Sequence, residues 1–179
     1  MFSKILIANR GESACRIIRT ARRLGLATVA VYSEADAEAL HVRQADEAVA
    51  IGPAPSAESY LAIDNILRAV EETGAQAVHP GYGFLAENPE FALSLTAAGV
   101  AFIGPGPDAI AAMGDKIAAK RLAREAGVDT IPGHDQAIGS AQEAVEVARG
   151  IGYPVMLKPA AGGGGKGLRV ARTDKEAAD

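Results

Sequence analysis

The chain has 179 residues, 49% of them hydrophobic, and a formal net charge of −4 at pH 7. This length fits one or two domains with a sizeable core, and no apolar run in the sequence is long enough to span a membrane. Because nucleic-acid-binding domains usually carry a basic face, the acidic balance argues against DNA or RNA as the main partner.

The first 110 or so residues alternate short apolar runs with amphipathic segments, as strands followed by helices do. The predicted strands are 4–8, 28–32, 48–51, 77–78 and 100–103. The apolar helix positions are Ala14, Ile17, Ile18, Ala21 and Leu24 in the first helix, and Leu61, Ile66, Leu67 and Val70 in a second helix over about 60–73. Gly74 is the predicted C-cap of the second helix. A third helix starts at Asn88 and ends at Gly99. This alternation predicts an α/β fold with a doubly wound, Rossmann-like parallel sheet.

The first predicted helix has a second, basic face formed by Arg16, Arg19 and Arg23. We interpret it as a solvated face, with a protein-contact surface as the alternative. Cys15 has no nucleophile context and is expected to fill space within this helix. As the only cysteine it cannot form an internal disulfide, which fits a reducing compartment: the cytoplasm, or the mitochondrial matrix in a eukaryote.

Two polar stretches follow predicted strands and should lie at the carboxyl edge of the sheet, where ligands of such folds bind. The stretch 9–12 is expected to fix the sharp turn from strand to helix. In the stretch 79–87, His79 is expected to hydrogen-bond the backbone and shape the loop, not to catalyse. Tyr82 has a glycine on each side, which predicts an exposed ring at a cleft.

The regular alternation of predicted strands and helices ends after Pro107. Asp115 is a predicted N-cap for a helix over 116–126. Ser140 and Glu143 predict a capping box for a helix that runs to about Arg149. The segment 131–135 between these helices has the composition of a domain junction.

Four consecutive glycines, 162–165, separate two short apolar runs and are flanked by Lys158 and Lys166. Glycine N–H groups can approach and wrap an anion closely, and the two ammonium groups suit phosphate oxygens. The segment fails the P-loop pattern, and it does not open a helix as a dinucleotide fingerprint must. We therefore predict a phosphate-covering flap between two strands, with a plain flexible hairpin tip as the alternative.

The order of these motifs resembles that of one family. The motifs are Ile7-Ala-Asn-Arg-Gly-Glu12, Ile51-Gly-Pro-Ala-Pro-Ser56, His79-Pro-Gly-Tyr-Gly-Phe84, Met113-Gly-Asp-Lys116 and the glycine segment. Over essentially its whole length, the chain resembles the N-terminal part of biotin carboxylase, the ATP-grasp component of biotin-dependent carboxylases. The subgroup it most resembles is the α subunits of propionyl-CoA carboxylases, followed by acetyl-CoA carboxylase. The resemblance implies an N-terminal α/β domain at 1–112 and the beginning of an ATP-grasp domain at 113–179.

The resemblance also implies a chemistry, in which MgATP and bicarbonate form carboxyphosphate and biotin on a carrier domain is carboxylated. The implied ATP-binding positions are Lys116, Lys158, Gly162, Gly163, Gly164, Gly165, Lys166, Met156 and Leu168. Tyr82 and Gly83 match positions beside the biotin ring. The family's Mg2+ ligands and catalytic residues match nothing in this segment, so no catalytic or metal-binding residue is assigned and the segment alone is expected not to carboxylate biotin.

The implied partners are a biotin carboxyl carrier domain, a carboxyltransferase subunit and a second copy of the chain near the first helix. Two alternatives stay open. One is another ATP-grasp carboxylate–amine ligase, which would not need the motif at 79–84. The other is a non-catalytic folding or assembly module that uses the arginine face of the first helix. An NAD-dependent oxidoreductase is the least favoured interpretation.

Overall fold

A computed structural model describes residues 2–114, 116–131, 133–134, 136–158 and 167–178; of Lys116 and Ile117 it describes the backbone only. The chain divides into two compact units, Met1–Ala112 and Met113–Asp179. We call them the first and second units and describe each by itself. The predicted cap Asp115 and the glycine segment 162–165 with Lys166 lie outside the described residues.

The first unit is built on a five-stranded parallel sheet with the strand order β3-β2-β1-β4-β5. Its strands are β1 (Lys4–Ile7), β2 (Ala27–Tyr32), β3 (Glu47–Ala50), β4 (Ala77–His79) and β5 (Ala101–Phe102). Its helices are α1 (Gly11–Arg23), α2 (Leu40–Gln44), α3 (Ile63–Thr73) and α4 (Pro89–Ala97), and α5 (Pro107–Gly114) spans the boundary between the units. This topology confirms the predicted α/β fold with a doubly wound parallel sheet.

The central strand β1 sends alternate side chains to two cores, as the period of a strand requires. Ile5 and Ile7 pack in a core with α1, which contributes Ala14, Ile17, Ile18 and Ala21. Leu6 packs in the larger core on the opposite face, whose members include Val29, Val31, Ile66, Phe91 and Leu95. Cys15 is buried within α1, as expected. Both faces of the sheet are therefore covered, which holds the carboxyl ends of the strands in fixed positions.

Two leucines predicted to point inward are exposed. Leu24 is 67% exposed, because α1 ends at Arg23 and the chain turns through Gly25 at a φ of +72°. Leu61 is 42% exposed, because α3 begins only at Ile63. The preceding residue, Tyr60, turns its own side chain into the core instead. Both predictions were wrong because they extended helical periodicity past the observed end of a helix.

Local terminus signals were better guides. The side chain of Asn88 accepts a hydrogen bond from Phe91 N at the start of α4, as the predicted cap requires. Gly74 ends α3 in the left-handed conformation. The short helix α2 and the helix α5 were not predicted. No described side chain caps α2, whereas α5 begins at Pro107 with Asp108 in its first turn, a start signal that the prediction did not use.

The second unit contains α6 (Lys116–Glu125), α7 (Ala141–Ile151), β6 (Val155–Leu157), β7 (Arg169–Ala171) and α8 (Asp174–Ala178). Ser140 Oγ accepts from Glu143 N, as in a capping box, but the Glu143 carboxylate accepts from Gly139 N at 2.8 Å and not from the N-cap residue. The strands β6 and β7 form an antiparallel hairpin. One face of this hairpin packs on α7 and α8.

Within the described residues, every helix is too short or too polar to cross a membrane. The same part of the chain holds no group of three or more His, Cys, Asp or Glu side chains that could bind a metal ion.

Candidate functional site

The strand order of the first unit reverses between β1 and β4, and sheets of this kind bind ligands in the crevice beyond such a reversal. Asn9, which is 4% exposed, lies just past β1 at this point. Its Nδ2 donates to the carbonyl oxygens of Pro80 and Tyr82 at 2.8 Å each, and its Oδ1 accepts from Arg10 N at 2.9 Å. Asn9 therefore joins the turn after β1 to the loop after β4. The prediction had assigned it only to the turn in its own stretch, 9–12.

We call residues 80–84 the ligand loop. His79 Nδ1 accepts from Gly81 N at 3.0 Å, which confirms that this histidine shapes the loop. Tyr82 is 72% exposed, as its flanking glycines predicted. Phe84 adopts a φ of +44°, which bulky residues rarely do. The loop thus presents one exposed aromatic ring from a backbone that is held in an unfavourable conformation.

The Asp36 carboxylate accepts hydrogen bonds from two other parts of the first unit. Arg10 Nε donates to Asp36 Oδ2 at 2.6 Å, and Arg10 Nη2 donates to Oδ1. The Tyr60 hydroxyl donates to Asp36 Oδ2 at 2.6 Å. The Tyr60 ring in turn stacks on Phe84, with centroids 5.0 Å apart and planes inclined by 21°. A chain of contacts therefore runs from Asp36 to the end of the ligand loop.

Two pKa shifts in this network keep Asp36 ionised and Tyr60 protonated at neutral pH. The Arg10 guanidinium lowers the pKa of Asp36, with a further contribution from the Tyr60 hydroxyl. Burial and the Asp36 carboxylate raise the pKa of Tyr60 to about 12. The carboxylate is thus ionised and the phenol is neutral, which is the state in which each makes its observed hydrogen bond.

Two histidines of the first unit are held neutral by burial. His41 is fully buried on α2, and its Nε2–H donates to Val31 O at 3.3 Å. Burial lowers the His41 pKa, while Asp36 raises it and Arg10 lowers it to smaller extents. Burial also lowers the pKa of His79, with a smaller effect from Arg16. Protonation would place a charge in the protein interior at His41 and at a partly buried position at His79.

We expect the free energy of unfolding of the first unit to fall below pH 6.5. The folded-state pKa values of His41 and His79 lie below the ordinary value of 6.5, so between the two values the unfolded chain binds more protons. Each histidine then contributes a slope of up to about 1.4 kcal/mol per pH unit. The stabilisation from Asp36 is present above pH 3.8 and is lost as the pH falls through its lowered folded-state value.

Urea unfolding at a series of pH values, followed by circular dichroism, measures this dependence. His41→Gln should flatten the decline below pH 6.5, because it removes one of the two histidines whose pKa is lowered in the folded state. His134→Gln is the control, since it removes an exposed histidine. A stability that does not change between pH 6.5 and the acid transition would contradict the prediction.

The second unit carries a different kind of surface on its β6–β7 hairpin. Met156 pairs with Val170, and the two side chains are 53% and 47% exposed. Leu168, just before β7, is 42% exposed, and Lys158, just after β6, is exposed as well. Because strand side chains alternate, these four residues share the face that α7 and α8 leave open. We call this surface the hairpin face. It consists of three apolar side chains and one cation, Lys158, which directly follows β6 in the sequence.

The opposite side of the hairpin is well supported. Val155, Leu157 and Ala171 pack against the apolar residues of α7 and α8. Asp174 at the start of α8 accepts from Arg149 Nη2 at 2.5 Å and from the Tyr153 hydroxyl at 2.9 Å. Arg149 and Tyr153 flank the C-terminal end of α7 in the chain, so these bonds join α8 to α7 and its following turn. The hairpin face is therefore the exposed side of a hairpin whose other side is packed on α7 and α8.

Comparison with known proteins identifies the family. Residues 1–110 match the family model described as the N-terminal domain of biotin carboxylase. The chain belongs to the biotin carboxylase family. Residues 115–179 match the model described as the ATP-binding domain of the carbamoyl-phosphate synthase L chain. The resemblance inferred from the order of the motifs is confirmed.

Relatives of this chain include the propionyl-CoA carboxylase alpha chain of Ruegeria pomeroyi, which is 61% identical over 177 residues. That match covers 99% of this chain and 26% of the relative, so the chain spans about a quarter of the relative's length. A biotin carboxylase–β,γ-ATP complex from Campylobacter jejuni has a TM-score of 0.92 and 47% identity, covering 99% of this chain and 40% of that one.

A second solved structure is the biotin carboxylase domain dimer of the Hydrogenobacter thermophilus 2-oxoglutarate carboxylase, in complex with MgADP, ADP and bicarbonate. Its TM-score is 0.90 at 49% identity, and the match covers 99% of this chain and 39% of that chain. The fold of this chain is thus shared with nucleotide-bound relatives along almost all of its length.

The structure brings only part of the predicted site residues together. Met156, Leu168 and Lys158 share the hairpin face of the second unit, whereas Tyr82 and Gly83 lie on the ligand loop of the first unit. Lys116 begins α6, and its side chain is outside the described part of the structure.

Sequence reasoning missed four residues that form or support the hairpin face and the ligand loop: Asp36, Tyr60, Phe84 and Val170. Val170 could have been found, because it lies two residues after Leu168 and strand periodicity places both on one face. The sequence gave no usable signal for Asp36 or Tyr60, because their partners are far away along the chain. Asp36 lies 26 residues after Arg10, and Tyr60 lies 24 residues after Asp36.

Proposed function

We propose that this chain is the N-terminal, nucleotide-binding part of a biotin carboxylase within an acyl-CoA carboxylase. In the proposed reaction, MgATP and bicarbonate give carboxyphosphate, and biotin on a carrier domain is then carboxylated. The observation that carries the proposal is the hairpin face, where Met156, Leu168 and Val170 are exposed together and Lys158 follows directly. Its support is membership of the biotin carboxylase family.

The hairpin face fits a nucleotide chemically. A purine base is flat and apolar on its faces, so it suits the exposed Met156, Leu168 and Val170 side chains. Lys158 supplies a positive charge for phosphate oxygens beside this apolar surface. Glycines 162–165 and Lys166, which lie outside the described residues, and Lys116 are further proposed contacts to the phosphates. When bound, MgATP supplies the activated phosphoryl group, and this chain's residues orient the nucleotide and offset its charge.

We assign the ligand loop to biotin. Tyr82 offers an exposed ring beside Gly83 at the reversal point of the sheet, which is where ligands of this fold bind. Its position is held by Asn9 through the Tyr82 carbonyl. We propose that Tyr82 and Gly83 contact the biotin ring, and that residues 1–112 and 113–179 are, respectively, the N-terminal α/β domain and the beginning of the ATP-grasp domain.

We further propose that the chain works in a larger assembly with a carrier domain, a carboxyltransferase subunit and a second copy of itself. The outer face of α1 supports the last of these, because Arg16, Arg19 and Arg23 are exposed there and make no ion pair with the described residues. The biotin carboxylase domain of the Hydrogenobacter thermophilus enzyme is a dimer. A reducing compartment, cytoplasmic or the mitochondrial matrix in a eukaryote, is consistent with the single buried cysteine.

The test is ATP binding by the complete carboxylase subunit that contains this segment. Lys158→Ala should weaken ATP affinity about 10- to 100-fold, because it removes a charge-assisted hydrogen bond worth about 1.5–3 kcal/mol. Isothermal titration with MgATP measures the change, and a smaller thermal shift with MgATP reports it independently.

Lys175→Ala is the matched control for this prediction. It removes an exposed lysine from α8 of the same unit, away from the hairpin face, and should leave ATP affinity within about twofold. Equal affinities of Lys158→Ala and the wild-type subunit would refute the assignment of the hairpin face to ATP. A wild-type subunit without ATP affinity would refute the proposed function as a whole and favour the assembly module.

A further inference from the structure

The ligand loop is held at two places by different parts of the first unit. Asn9 binds the carbonyl oxygens of Pro80 and Tyr82 directly. Phe84, at the other end of the loop, stacks on the buried ring of Tyr60. The first contact is a pair of hydrogen bonds to the backbone, and the second depends on where the Tyr60 ring is placed.

Phe84 needs such support because its backbone is in the left-handed region, with a φ of +44°. A residue with a bulky side chain adopts this conformation only where the surrounding structure holds it there. If the stacked partner moves, Phe84 is free to relax to a negative φ. That change would reorient the chain next to Gly83 and therefore the exposed Tyr82 ring.

The position of Tyr60 is in turn fixed by Asp36. The Tyr60 hydroxyl donates to Asp36 Oδ2 at 2.6 Å and accepts from Ser33 N at 3.2 Å. Arg10 grips the same carboxylate through both Nε and Nη2, and its guanidinium carbon lies 5.9 Å from the centroid of the Tyr60 ring. Asp36 is only 8% exposed as a side chain, so water cannot readily replace these partners.

We propose that Asp36 is a positioning residue for the ligand loop: with Arg10 it fixes Tyr60, and through the Tyr60–Phe84 stack it fixes the orientation of Tyr82. The inference rests on the proposed function for its catalytic consequence, since Tyr82 is there assigned to biotin. Its structural consequence, a loop whose conformation depends on a carboxylate that does not touch it, is independent of that assignment.

The structural arm of the test uses fluorescence. The chain has no tryptophan, so Tyr82→Trp introduces a single reporter into the ligand loop. In this background we expect Asp36→Asn and the milder Tyr60→Phe to lower the steady-state anisotropy of the introduced tryptophan and to shift its emission maximum. Circular dichroism selects samples that remain folded.

Tyr153→Phe is the matched control. It removes a tyrosine-to-aspartate hydrogen bond of the same kind, to Asp174, in the second unit. The reporter's anisotropy should stay at the parent value in this variant. Unchanged anisotropy in folded Asp36→Asn and Tyr60→Phe would overturn the proposal.

The route through Phe84 is tested by a double-mutant cycle. Phe84→Ala should lower the anisotropy of the introduced tryptophan as much as Asp36→Asn does. The combined variant should show no additional decrease, because both substitutions break the same chain of contacts. Additive changes would overturn the route from Asp36 through the stacked rings.

The catalytic arm uses the complete carboxylase subunit with native Tyr82. We expect Tyr60→Phe to raise KM for biotin about tenfold, with KM for ATP unchanged. A role in stability alone would reduce the amount of active enzyme and lower kcat without changing either KM, and this result would overturn the positioning role. If the wild-type subunit shows no biotin-dependent ATP cleavage, the proposed function fails, and the fluorescence arm still decides the inference about Asp36.

Discussion

Gly81→Ala is expected to destabilise the first unit by about 2–5 kcal/mol and to displace the ligand loop. A Cβ at this position would lie 2.7 Å from Asn9 Nδ2 and 2.9 Å from Ser13 Oγ. Asn9 cannot move aside freely, since its Nδ2 is bound to two carbonyl oxygens of the loop itself. The φ of +67° adds backbone strain for any residue with a side chain.

Gly83→Ala separates these two causes. Its φ of +68° is nearly the same, but a Cβ there would meet no atom within 4 Å. We therefore expect only the cost of the left-handed backbone, about 1–2 kcal/mol. Urea unfolding, combined with hydrogen exchange of the β4 amides to follow the first unit by itself, measures both variants. Equal losses of unfolding free energy in the two variants would mean that the close approach of Gly81 to Asn9 and Ser13 adds nothing to the destabilisation.

Phe91→Ala is expected to cost about 3–5 kcal/mol of stability. The Phe91 side chain is fully buried in the larger core and meets Phe102 edge to face, with centroids 6.0 Å apart. Alanine would leave a cavity between α4 and the sheet. Because α4 follows the ligand loop, the same substitution should also increase hydrogen exchange in residues 80–88.

Leu93→Ala provides the control from the same helix. Leu93 is 55% exposed, so its truncation should change stability by no more than about 0.5 kcal/mol. The same denaturation and exchange measurements apply to both variants. A loss below about 1 kcal/mol in Phe91→Ala would contradict the prediction and would show that the core around α4 collapses to fill the cavity.

Much of the fold could be predicted because its signals are local. The alternation of apolar runs with helical periodicity predicted the five parallel strands of the first unit. Asn88 and Gly74 marked a helix start and a helix end, since a cap and a left-handed residue act within one turn. The same reasoning failed at Leu24 and Leu61, where helical periodicity was extended beyond the end of the helix itself.

The candidate site was predictable to a smaller extent. Lys158 was singled out by its place beside the glycine segment, and Met156 and Leu168 only by the resemblance to the family. The flanking glycines were sufficient to predict the exposure of Tyr82. The contacts of Arg10 were not predictable, because its expected role was a local turn and its observed partner, Asp36, lies beyond β2. Nothing in the residues around Asp36 distinguishes it from a solvated loop carboxylate.

By itself, the sequence determined the class of fold, the family and the residue types that suit a nucleotide, because periodicity, caps and ordered motifs depend on near neighbours in the chain. Only the tertiary structure decided which side chains support the ligand loop. Asn9 reaches Tyr82, Asp36 reaches Tyr60, and Tyr60 reaches Phe84, because the parallel sheet brings the carboxyl ends of its strands to one edge. Hydrogen bonds and ring stacking act over a few ångströms in space, and their energies do not depend on how many residues separate the partners along the chain.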